Sequence, residues 1–149
     1  MSFIPATTDH CAPLVMPERP YHSFIPSREE WEATEAWNRS PVNFFTDGSR
    51  RNDSVGGGVY SPELATRHKF RLPDHCSVFQ AEITAIKEAV DLLGRSVVIA
   101  NSSNIYSDSQ AAVRALDSAV VRSSIVKECQ LSLKVFVQHF RISIVWVGT

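Results

Sequence analysis

Phe79, Ile83, Ile86, Val90 and Leu93 recur at successive spacings of 4, 3, 4 and 3, and Gly94 follows them. That period fits an α-helix with one face committed to a core, and the glycine marks the helix end. A helix with a single apolar stripe needs a second layer to cover it, and the residues on both sides of this one are β-formers. Upstream, Val42-Asn43-Phe44-Phe45-Thr46 forms a first strand ending at Asp47, residues 56–60 suit a second, and residues 66–72 alternate as a third. Their close succession predicts an antiparallel meander. Downstream, residues 97–99 and Ile105-Tyr106 lead to Asp108, and Ala111, Ala112, Ala115 and Leu116 fit a short helix. Ile125, Cys129, Leu133, Phe136 and Phe140 fit a longer helix, and residues 142–147 read as a strand buried on both faces. Three hairpin-like strands followed by helices alternating with strands predict an α/β domain with a mixed sheet over residues 42–149.

The first 41 residues differ in character. Five of the 8 prolines, Pro5, Pro13, Pro17, Pro20 and Pro26, fall in the first 26 residues, where no apolar period is sustained. They predict a tail or linker. Ser27 and Glu30 have capping-box spacing and open a short lead-in helix before Pro41, with Trp31 and Trp37 as its large apolar groups. At 149 residues the chain suits one core rather than two. Its 15 Lys+Arg against 16 Asp+Glu give a net charge of -1, so no global basic field points to nucleic acid, and such a partner has to be argued from a site. Cys11, Cys76 and Cys129 form no CxxC pair, which argues against a zinc ribbon or a disulfide framework. No apolar run reaches the roughly 18 residues of a membrane span, and Pro5, Asp9, His10 and Pro13 break up any signal-peptide core. The expectation is an intracellular protein of the cytoplasm or nucleus, without a membrane partner.

Three carboxylates stand out. Asp47 closes the first strand, although Asp47-Gly48 taken alone reads first as a hairpin turn. Glu82 lies within about 40° of Ile86 and about 20° of Leu93 on the helical wheel, on the apolar stripe. A carboxylate there must be neutralised, hydrogen-bonded or metal-bound, unless it snorkels out from the edge of the stripe. Asp108 sits where a strand gives way to a helix, and an N-cap is its simplest role. Together the three mark two strand ends and an inward helix face, and open sheets place ligands at the carboxyl ends of their strands. Hard oxygen donors with no His or Cys at metal spacing suit Mg²⁺ or Mn²⁺ rather than zinc.

In order along the chain, Thr46-Asp47-Gly48-Ser49, Gly56-Gly57-Gly58-Val59, Phe79-Gln80-Ala81-Glu82, Tyr106-Ser107-Asp108-Ser109-Gln110-Ala111 and Ile144-Val145-Trp146-Val147 resemble a type 1 ribonuclease H domain. Val78-Phe79-Gln80-Ala81-Glu82 and Ser107-Asp108-Ser109-Gln110-Ala111 are similar to the domain that follows reverse transcriptase in insect non-LTR retrotransposons. The resemblance covers residues 42–149. It implies an RNase H-like α/β fold, with a five-stranded mixed sheet whose first three strands are antiparallel and with helices on both faces. It also implies two Mg²⁺ (or Mn²⁺) ions held by four carboxylates, of which Asp47, Glu82 and Asp108 match the first three. Two such ions about 3.5 to 4 Å apart activate water and stabilise the leaving oxygen at phosphorus. The implied partner is an RNA–DNA hybrid whose RNA strand is cut, read by shape and 2′-OH contacts. Gly48, Ser49, Asn52, Gln80, Ser109 and Gln110 fall where family members approach the nucleic-acid backbone.

Members of the family continue past the Trp-Val strand through a mobile His and a last helix bearing the fourth Asp, whereas this sequence stops at Thr149. The reading is therefore of a C-terminally truncated or domesticated domain. One alternative is a catalytically impaired remnant that binds nucleic acid or a protein partner through the same fold. The two part on Mg²⁺ dependence.

Overall fold

The structure is a computed structural model and describes residues 9–15, 21–33, 40–96, 102–136 and 141–147. The expected meander is present as β3 (Val42–Arg51), β4 (Ser54–Ser61) and β5 (Thr66–Leu72), all antiparallel. β3 does not stop at Asp47. It runs through Asp47 and Gly48 to Arg51, and the chain turns instead at Asn52, whose φ of 52 is one that Asn tolerates better than most residues. The sequence pattern misplaces this turn because Asp-Gly is the stronger hairpin signal. β6 (Ser102–Ser107) and β8 (Arg141–Trp146) complete the centre of the sheet, with β6 parallel to both β3 and β8.

Among the described residues the sheet has six strands where five were expected, in the order β2-β8-β6-β3-β4-β5. The additional strand, β2 (His22–Phe24), comes from the stretch read as a tail and pairs parallel with β8. Beside it Tyr21 is buried and its hydroxyl donates to the Leu116 carbonyl at 2.5 Å. Farther back, β1 (His10–Val15) pairs with β7 (Val120–Ser123), and Asp9 accepts from the Ile125 N–H at 2.9 Å. Three residues between prolines are too few to show a period, and both pairings join segments distant in sequence, so local pattern carries no trace of them.

The helices are α1 (Arg28–Ala33), α2 (Val78–Arg95), α3 (Gln110–Leu116) and α4 (Ser124–Phe136). The capping box at Ser27 and Glu30 is formed. The Val97–Ile99 stretch, Trp37 and Phe140 lie outside the described residues. α2, α3 and α4 contact one another and share one core with the sheet, in which Phe44, Ile83, Ile86, Leu93, Ile105, Leu133 and Ile144 are fully buried. Gly94 does not end α2, which continues to Arg95. A Cβ at Gly94 would collide with the Phe136 ring, so this glycine lets α2 and α4 pack closely. Among the described residues no helix is long and apolar enough to cross a membrane.

Candidate metal centre

The parallel register of β3 and β6 ends at the pair Thr46↔Ser107. Asp47 and Asp108 are each the next residue, so register alone brings two carboxylates side by side at the carboxyl ends of neighbouring strands. Glu82 arrives from the other layer. It lies near the start of α2, whose N-cap is Ser77: the Ser77 Oγ accepts from the Gln80 N–H at 3.1 Å and the Gln80 Oε1 accepts from the Ser77 N–H at 2.7 Å. This capping box fixes where α2 begins.

Gly48 fixes how close α2 comes to β3. A Cβ built there would lie 2.7 Å from the Glu82 backbone nitrogen and 2.9 Å from the Ala81 carbonyl carbon, and neither atom has room to give. Only glycine lets the helix start rest on the strand. As a result Asp47, Glu82 and Asp108 each offer a carboxylate oxygen, and the three oxygens lie within 4.8 Å of one another.

Asp47 and Asp108 are exposed, whereas Glu82 is 5% exposed. Burial, then the charges of Asp108 and Asp47, raise the Glu82 carboxyl from 4.5 to about 8, against the opposing pull of a hydrogen bond from the Gly48 N–H. Asp47 is raised too, first by burial and then by Asp108, again with the Gly48 N–H opposing. The Glu82 Oε2 is buried without a hydrogen-bond partner. A polar atom left bare in this way costs free energy unless a ligand satisfies it.

Asp108 is released from the role its position suggests. Ser109, one residue on, is the N-cap of α3, accepting from the Ala112 N–H at 3.1 Å. The Asp108 side chain is thereby left to the carboxylate cluster, and its backbone is pinned: the Trp146 indole N–H donates to the Asp108 carbonyl at 3.1 Å. On either side, the Ser107 Oγ accepts from the Ser109 N–H at 3.1 Å and the Val147 N–H donates to the Ser107 carbonyl at 2.8 Å. Thr46 ties the strand ends together through a 2.8 Å bond from its Oγ1 to the Tyr106 carbonyl. Trp146, Ser107, Thr46 and Ser77 thus position the site, and sequence reasoning gave them no role. The signal for Trp146 was available, since a half-buried indole N–H requires an acceptor.

The other expected site residues are spread around this cluster. Ser49 is exposed on the same face of β3 as Asp47, and Gly48 is buried against α2. Asn52 sits at the hairpin turn, away from the two strand ends. The side chains of Gln80 and Ser109 are engaged in helix caps, and Gln110 is half-buried as the first residue of α3.

No protein-family model and no curated protein matches the chain. Among solved structures it is similar to the RNase H1 of the halophilic archaeon Halobacterium salinarum NRC-1, with a TM-score of 0.53 and 16% identity, over 72% of this chain and 84% of that one. At that identity the likeness is one of architecture, and it agrees with the strand order and the parallel β3–β6–β8 centre: the chain has a ribonuclease H-like fold.

Proposed function

We propose that the chain is a ribonuclease H-type endonuclease that cuts the RNA strand of an RNA–DNA hybrid and depends on two divalent cations, Mg²⁺ or Mn²⁺. The observation that carries the reading is the cluster of Asp47, Glu82 and Asp108 around the buried, unpartnered Glu82 Oε2, in this fold. All the donors are hard carboxylate oxygens, as Mg²⁺ and Mn²⁺ prefer. Asp47, Glu82 and Asp108 would hold the two cations, which when bound supply Lewis acidity at a phosphodiester.

The chain's own groups do the positioning. The bare Gly48 lets the start of α2 rest on β3 and so brings Glu82 beside Asp47, and Trp146 holds the Asp108 backbone. Near neutral pH the Glu82 carboxyl keeps its proton until a cation displaces it, so binding should release protons and strengthen with rising pH. Ser49, exposed beside Asp47, and Gln110, at the start of α3, are the readiest contacts for the substrate backbone, with Gly48, Asn52, Gln80 and Ser109 flanking them. The motifs at residues 78–82 and 107–111 support a retrotransposon origin. The test is a labelled RNA–DNA hybrid incubated with the chain in Mg²⁺. Cleavage of the RNA strand that is lost in EDTA and in Glu82→Gln is the expected result, and undiminished cleavage by that variant would overturn the reading.

A further inference from the structure

The antiparallel register of β3, β4 and β5 sets out rows across the sheet face on which Asp47 is exposed. One row is Asp47, Gly58 and Lys69, and the next is Ser49, Gly56 and Arg71. On the other side of Asp47 lies the row of Phe45, Tyr60 and Arg67, where the guanidinium stands 4.9 Å from the Tyr60 ring centroid. Lys69, Arg71 and Arg67 are all exposed, on alternate residues of β5. Between the outer strands, over the glycines of β4, runs a groove of about 410 Å³ that reaches from Asp47 to Lys69 and Arg71.

Two of the three glycines have a packing reason. A Cβ at Gly56 would strike the Phe70 carbonyl, and one at Gly57 would lie 2.7 Å from the Phe70 ring. Gly58 has none: the nearest atom to a Cβ there is the His68 carbonyl oxygen at an ordinary 3.5 Å, and no described glycine has positive φ. A glycine weakens a strand, so this one needs another explanation. Protection of the sheet edge explains cations on β5, but it does not explain a bare position directly between Asp47 and Lys69. Close approach of a ligand backbone explains both. The chain's net charge of -1 makes cations lining one groove a local feature rather than a general one.

We propose that this groove is a track for the sugar-phosphate backbone of a nucleic-acid strand leaving the carboxylate centre. Gly58 forms its floor, Lys69 and Arg71 neutralise successive phosphates, and the Tyr60 and Phe45 rings offer a stacking surface on the far side of Asp47. Arg71 also pairs with Asp74 at 3.4 Å, an exposed ion pair that a phosphate can replace at little cost. The identity of the strand rests on the nuclease reading, but the binding does not.

The test is the affinity of the full chain for a fluorescein-labelled RNA–DNA hybrid, measured by anisotropy across a salt series, with Ca²⁺ in place of Mg²⁺ and the duplex checked to remain whole. Gly58→Thr should unfold at the wild-type temperature or above and yet bind roughly tenfold more weakly, because its side chain fills the floor. Lys69→Ala/Arg71→Ala should lower the slope of log K against log salt by about 1.8, two phosphate contacts' worth, while Lys134→Ala on α4 leaves it unchanged. Wild-type affinity and slope in both track variants, or no binding by the wild type, would overturn the proposal. If the variants bind normally and the wild type cuts hybrid, the track fails and the nuclease reading stands. If both variants bind weakly and the wild type does not cut, the track stands and the nuclease reading fails.

Discussion

Replacing Glu82 with glutamine should stabilise the cation-free chain at neutral pH, and by an amount that follows from the site. Burial and the neighbouring carboxylates raise Glu82 from 4.5 to about 8 in the folded chain. Between those values the folded state keeps a proton that the unfolded state has lost, so stability falls as pH rises. The contribution is complete below about pH 4.5 and is lost as the pH climbs through about 8. Each unit is worth about 1.4 kcal/mol, so from about pH 5 to about pH 7 the wild type loses about 2 to 3 kcal/mol. Glu82→Gln keeps the shape of the neutral carboxyl without its titration. At about 2 to 4 °C per kcal/mol for a chain of this size, the melting temperatures should diverge by roughly 5 to 10 °C over that range. Thermal unfolding in EDTA, followed by circular dichroism at a series of pH values, reads the difference and cancels the other titrating groups. Parallel pH profiles for the two proteins would refute the argument that Glu82 is buried in its neutral form against two carboxylates.

Other outcomes follow from the same geometry. Gly48→Ala drives a methyl into the α2 backbone, and should cost about 1 to 3 kcal/mol in urea unfolding and also weaken cation binding by moving Glu82 away from Asp47. Ser77→Ala removes one arm of the α2 capping box and should cost about 1 kcal/mol by chemical denaturation. Asp9→Ala breaks the bonds from the Ile125 N–H and the Ser123 hydroxyl, and should destabilise the chain by about 1 to 2 kcal/mol. No change in unfolding midpoint for Asp9→Ala would mean that these two bonds add nothing to stability.

The elements with an internal period were legible. β5 occupies the expected residues 66–72, and the stripe on α2 correctly announced a buried face. Glu82 was conspicuous because a charge on that stripe conflicts with its surroundings, and such conflicts concentrate at functional sites. What remained hidden depended on partners distant in sequence. The strand character of residues 22–24 exists because β8 lies beside them, and the close packing at Gly94 exists because Phe136 lies across from it. Asp47-Gly48 looked like a turn for a local reason and proved to be the place where a strand outruns one neighbour while keeping the other. Sequence singled out the three carboxylates that the fold brings together. The closeness of the three came from register, through Thr46↔Ser107, and from the missing Cβ at Gly48.

The central claim, that these three carboxylates form one divalent-cation site, is tested most directly by titrating Mn²⁺ into the chain and following free Mn²⁺ by electron paramagnetic resonance. Saturable binding by the wild type that is lost in both Glu82→Gln and Asp108→Asn, and is competed by Mg²⁺, is the predicted result. Equal Mn²⁺ uptake by the wild type and both variants, with all three folded, would contradict it.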